Sequence, residues 1–104
     1  MGMKENLEQM LERGQDSALL RFTLGELYLK EGDAEAAAGH LAQAVRQKAD
    51  YSAAWKLYGQ ALERGGRAHE AARAFEQGIA VAEQTGDKQA AKEMRVFLRR
   101  VQRG

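Results

Sequence analysis

The stretch Trp55–Gly78 reads Trp-Lys-Leu-Tyr-Gly-Gln-Ala-Leu-Glu-Arg-Gly-Gly-Arg-Ala-His-Glu-Ala-Ala-Arg-Ala-Phe-Glu-Gln-Gly. Good helix formers fill both halves, and Gly65-Gly66 stands between them as a stop. Antiparallel helices packed about 8–10 Å apart need small residues at their closest contacts. Gly59 and Ala71 supply these, with Trp55, Tyr58, Leu62 and Phe75 filling the space beside them. A helical hairpin is predicted.

Thirty-four residues earlier the same size classes recur. Gly25 precedes Gly59 by that interval, as Gly32 precedes Gly66, Ala37 precedes Ala71, Leu41 precedes Phe75 and Ala44 precedes Gly78. Leu24 and Tyr28 likewise precede Tyr58 and Leu62. A fixed period of this length is the mark of a stacked repeat protein. Over residues 18–85 the chain resembles the tetratricopeptide repeat (TPR) family. That family has Trp, Leu-Gly and Tyr along the first helix of each repeat, and Ala, Phe and Ala along the second. The pattern falls on Trp55, Tyr58-Gly59, Leu62, Ala71, Phe75 and Gly78, and on Arg21, Leu24-Gly25, Tyr28, Ala37, Leu41 and Ala44. Arg21 departs from it by standing in the tryptophan place. Ala49 and Glu83 stand where the family carries a proline near the repeat end.

The fold expected is all-α: a TPR α-solenoid of antiparallel helix pairs, about six helices in one domain over 1–104. A half-repeat helix occupies 3–14, with Met3, Leu7 and Met10 placed 34 before Ala37, Leu41 and Ala44 and Gly14 as its stop. Repeats follow at 18–51 and 52–85. Gly32 and Gly66 fall at helix ends, where a left-handed residue is wanted. Asp16 or Ser17, Asp33, Ser52 and Asp87 are candidate caps at helix starts. A capping helix at 87–103 shows an apolar face of Ala90, Ala91, Met94, Phe97, Leu98 and Val101. Lys88, Lys92, Arg95, Arg99 and Arg103 lie opposite, and Arg95 holds the place a further helix would need small. A polar outer face of this kind ends a solenoid. Two full repeats alone are marginal, since about three are usually needed, so the flanking helices are expected to make up the core.

Composition excludes several function classes. The 104 residues contain no cysteine and no proline, so no disulfide and no thiolate site is available. No run approaches the roughly 18 apolar residues of a membrane span, and the first ten residues form no secretory apolar run. A cytoplasmic location is the expectation. Net charge is only +1, which argues against a nucleic-acid partner. The charge is segregated, however: residues 1–35 carry a balance of −4 and residues 88–104 one of +5.

No catalytic constellation is present, and no enzyme activity, metal or cofactor is expected. His40 and His69 sit on the second helices of different repeats, without a ligand or nucleophile partner at useful spacing. What remains is recognition. The resemblance implies a concave groove lined by first helices, which in this family commonly holds an extended or helical peptide. Its residues here would be Leu19, Phe22, Glu26 and Lys30, then Ala53, Lys56, Gln60 and Arg64, then Lys92, Val96 and Arg99, with Phe22 as an exposed aromatic. An acidic segment or free carboxylate suits Lys56, Lys92 and Arg99, because charge-assisted hydrogen bonds are the strong ones. The carboxylate clamp used by chaperone-binding relatives is not matched: Phe22, Glu26 and Leu57 occupy its first positions, and Glu26 repels a carboxylate. The partner expected is an unidentified protein or peptide, bound by a monomer or weak homo-oligomer. Head-to-tail or swapped self-association is the alternative. A membrane-surface role for 88–103 is disfavoured, because its apolar face is needed to close the solenoid.

Overall fold

The computed structural model describes residues 2–104. Within them lie six helices and no strand: α1 Met3–Glu12, α2 Ala18–Lys30, α3 Ala34–Gln47, α4 Ser52–Arg64, α5 Ala68–Thr85 and α6 Lys88–Arg103. Each helix packs on its neighbour in sequence, α4 also touches α2 and α6, and α1 touches only α2. The result is a stack about 40 × 28 × 18 Å.

Four of the five connections are one turn used repeatedly. Gly14, Gly32, Gly66 and Gly86 have φ between +78° and +85°, a region closed to most side chains. After each, the next backbone N–H reaches back five residues: Gln15 to Met10, Asp33 to Tyr28, Arg67 to Leu62 and Asp87 to Ala82, at 2.8–2.9 Å. This bond satisfies a carbonyl the helix end would leave unpaired. Asp33 and Asp87 then cap the following helix, each accepting from a backbone N–H three residues on at 3.1 Å. Ser17 does the same for Leu20.

The remaining connection, between α3 and α4, has no glycine. Trp55 closes it, its indole N–H donating to the Ala49 carbonyl at 2.8 Å. Ala49 is the residue found where related repeats carry proline, so here a side-chain hydrogen bond does the fixing. The Trp55 ring is half-buried and packs on Ala44, Val45 and Ala54, which ties the second hairpin to the first.

The core runs along the stack. Leu24, Leu41, Leu62, Phe75 and Met94 are fully buried. The glycines at helix contacts are seats for these side chains. A Cβ on Gly25 would collide with Leu41, one on Gly59 with the Phe75 ring, and one on Gly78 would lie 2.8 Å from Trp55 Cβ. Gly39, on the open side of α3, has nothing near it. The 34-residue period is thus a period of seats and knobs.

Two expectations are corrected. Ser52 does not cap α4; its hydroxyl donates to Asp87 Oδ2 at 2.7 Å, joining the start of α4 to the start of α6. Phe22 is not an exposed aromatic; it is half-buried and stacks on Tyr51, ring centroids 5.0 Å apart. Both miss for one reason: the partner lies across a helix contact 29 or 35 residues away.

Candidate functional site

At helical spacing, Leu19, Phe22, Glu26 and Lys30 share one face of α2. Ala53, Lys56, Gln60 and Arg64 share one face of α4, and Lys92, Val96 and Arg99 one face of α6. Two of the three strips are joined directly. Lys56 Nζ lies 2.7 Å from Glu93 Oε1, beside Lys92. Two helical turns further, Arg100 and Glu63 form a two-point pair at 2.6 and 3.0 Å. The α2 strip meets the start of α4 through the Phe22–Tyr51 stack. Burial there raises the Tyr51 hydroxyl pKa above its ordinary value.

The strips are not uniform. Leu19 and Val96 are 67% and 48% exposed, large apolar side chains open to water at the two outer strips. Lys30, Arg64, Lys92 and Arg99 are exposed and make no ion pair among the described residues. Lys56 is different: Glu93 already neutralises it, and the ammonium, helped by the Gln89 amide, holds the Glu93 carboxyl below its ordinary pKa. An anion approaching α4 therefore meets Arg64 as its free cation, not Lys56. Glu93 and Glu63 were invisible to sequence reasoning. Their signal, a carboxylate 37 residues from its cation on the next first helix, emerges only once the helices are stacked.

A second polar cluster lies at the other end of the stack. Arg21, in the tryptophan place of the first repeat, forks onto Asp16 with both distances 2.9 Å and reaches His40 Nδ1 at 3.2 Å. Guanidinium can only donate, so Nδ1 accepts and the imidazole proton sits on Nε2. Gln47 also donates to Asp16 at 2.9 Å. Arg21 first, and Gln47 second, hold the Asp16 carboxyl down at about 2. Burial, and then the nearby guanidinium, lower the pKa of His40, whose ring stacks on Tyr28 at 5.4 Å. This cluster sits at the partly exposed front of the stack, its polar groups hydrogen-bonded to one another. His69 is exposed on α5. Among the described residues no group of three or more His, Asp or Glu is placed to hold a metal ion. No helix among them is long and apolar enough to cross a membrane.

Residues 4–61 match the profile of the tetratricopeptide repeat family. The chain belongs to that family. It is 55% identical over 101 residues to a TPR repeat-containing protein of Pseudomonas aeruginosa, covering 97% of this chain and 96% of the relative. A protein of Bordetella parapertussis, solved in solution, is 44% identical with a TM-score of 0.83, covering 99% of this chain and 90% of its own. The crystal structure of a tetratricopeptide repeat domain protein from Salinibacter ruber shares the fold at 24% identity and a TM-score of 0.76, over 84% of this chain and 97% of that one. TPR domains generally serve protein–protein interaction.

Proposed function

We propose that this chain is a cytoplasmic adaptor that binds a peptide segment of another protein along the faces of α2, α4 and α6. The observation that carries this is the pair of exposed apolar side chains, Leu19 and Val96, on the two outer strips. Solvated helix faces do not require them, and scattered cations lie between and around them. The peptide would bury apolar side chains at Leu19, Phe22 and Val96. Its carboxylates would meet Lys30, Arg64, Lys92 and Arg99, with Gln60 available to its backbone. Glu26 and the Lys56–Glu93 pair favour a peptide of mixed character over a uniformly acidic one.

A displayed peptide library selected on the wild-type protein tests the reading. Peptides selected on this face lose at least tenfold in affinity to Leu19→Glu/Val96→Glu, and acidic ones lose it to Arg64→Glu/Arg99→Glu; each decade is about 1.4 kcal/mol. Selected peptides that bind all three proteins equally would place the site elsewhere.

A further inference from the structure

We infer that the chain associates head to tail, the basic outer face of α6 in one copy meeting the acidic side of α1 in the next. Lys88, Lys92, Arg95, Arg99 and Arg103 are all exposed and recur every three or four residues along α6. At 1.5 Å per residue they form a cationic stripe about 22 Å long. Only Arg95 has an ion-pair partner among the described residues, Glu83.

The complementary surface lies at the opposite end of the stack. Glu5, Glu8 and Glu12 stand on one side of α1 and, with Lys4, Gln9 and Tyr28, line an open depression of about 390 Å³. The Tyr28 ring there already carries one ammonium: Lys4 Nζ lies 4.8 Å from its centroid and also pairs with Glu31 at 2.8 Å. His40 stacks on the Tyr28 ring as well, so an incoming Lys or Arg would meet the carboxylates of Glu5 and Glu12 rather than the ring. Because α1 touches only α2 while α6 touches α4 and α5, one copy cannot bring its own two surfaces together. Both surfaces also leave apolar side chains open, Met3 and Met10 on α1 and Val96 on α6.

The contact rests on charge and differs from the packing inside the stack. Gly25 and Gly59 admit Leu41 and Phe75, but the corresponding place on α6 holds Arg95. A second copy therefore cannot seat a knob there as an added repeat would. A lipid surface fits less well, because Ala90, Ala91, Met94 and Val101 are buried within the stack and only Val96 could insert. A heterologous contact of this kind gives chains or rings, and it must be sensitive to salt.

Sedimentation of the full chain over a range of concentration and salt tests it. The Debye length falls from about 30 Å at 0.01 M salt to about 3 Å at 1 M, so at low salt the weight-average mass should rise steadily with concentration above the monomer, and at high salt it should return to the monomer. Two charge-reversal variants then separate the surfaces, Glu5→Lys/Glu12→Lys and Lys88→Glu/Arg103→Glu, each at exposed positions outside the proposed peptide face. Each variant alone should remain a monomer at low salt, and an equimolar mixture should recover the association. Far-UV circular dichroism checks that both keep wild-type helicity; if one does not, Glu12→Lys and Lys88→Glu replace the pairs. A wild type that stays monomeric at low salt, an association indifferent to salt, or a mixture no heavier than its components would overturn the inference.

Discussion

The helices at the two ends of the stack are held in different ways. α6 buries Ala90, Ala91, Met94 and Val101 and is tied to α4 by Lys56–Glu93, Glu63–Arg100 and Ser52–Asp87. α1 buries no residue completely; Leu7 and Leu11 are half-buried and Met3 is 62% exposed. Its attachment includes polar contacts to α2, Glu8 with the Tyr28 hydroxyl and Lys4 with Glu31. Both ends have ion pairs, so ion pairs do not make the difference. Exposed pairs contribute about 0–1 kcal/mol each, whereas a buried side chain such as methionine contributes roughly 1.5–3 kcal/mol. The C-terminal helix is part of the core, and the N-terminal helix is a cover laid on it.

The largest test of this contrast sets Met94→Ala against Leu7→Ala. Met94 is fully buried over Gly78, and its truncation should cost about 2–5 kcal/mol in chemical denaturation. Leu7→Ala should cost less than about 1.5 kcal/mol, because the side chain is only partly buried and leaves a smaller cavity. Equal losses would mean that α1 is as much part of the core as α6.

The same contrast can be sharpened at the helix seats. A methyl group on Gly59 meets the rigid Phe75 ring, whereas one on Gly25 meets Leu41 from Cγ outward, an equally buried but smaller and more flexible side chain. Gly59→Ala should cost about 1–3 kcal/mol and Gly25→Ala less. Gly39→Ala, in open space on α3, should instead stabilise by about 0.5–1 kcal/mol, the ordinary helix preference for alanine. Thermal unfolding of the three variants gives the order, and it fails if Gly25→Ala is the most damaged.

A smaller effect concerns pH and the front of the stack alone. His40 has a lowered pKa when folded, so protonation opposes folding. Its contribution is complete above the unfolded value of about 6.5 and is lost as pH falls through the lowered folded value. The groups facing it are Arg21 and Tyr28 on α2, Glu8 on α1 and Asp16 in the turn between them. Wild type should therefore lose stability relative to His40→Gln as pH falls below about 6.5. Parallel pH profiles for the two proteins would remove His40 as the cause. Smallest of all, Arg100→Gln should change stability by no more than about 1 kcal/mol, and less at high salt.

Much of this architecture was legible in the sequence because knobs and seats must alternate at fixed helical offsets. Gly25 with Leu41, and Gly59 with Phe75, repeat a size pattern that 34-residue spacing exposes. Asp33 and Asp87 announce their helices because a cap acts locally, three residues away. The polar detail was not legible. Arg21 stands in for tryptophan through Asp16, Gln47 and His40, drawn from a turn and from another helix. Trp55 replaces a missing proline through one indole hydrogen bond. On the candidate face, Lys56 read as a free cation until stacking brought Glu93 beside it. These contacts depend on how helices cross, and no residue periodicity encodes a crossing.

The most direct measurement of the binding role is a residue-resolved NMR titration of the labelled protein with a peptide selected from the library. Chemical-shift changes should cluster on Leu19, Phe22, Lys30, Gln60, Arg64, Lys92, Val96 and Arg99. Changes centred on exposed residues of α5, such as Arg73, Glu76 and Gln77, would contradict the assignment of the binding face to α2, α4 and α6.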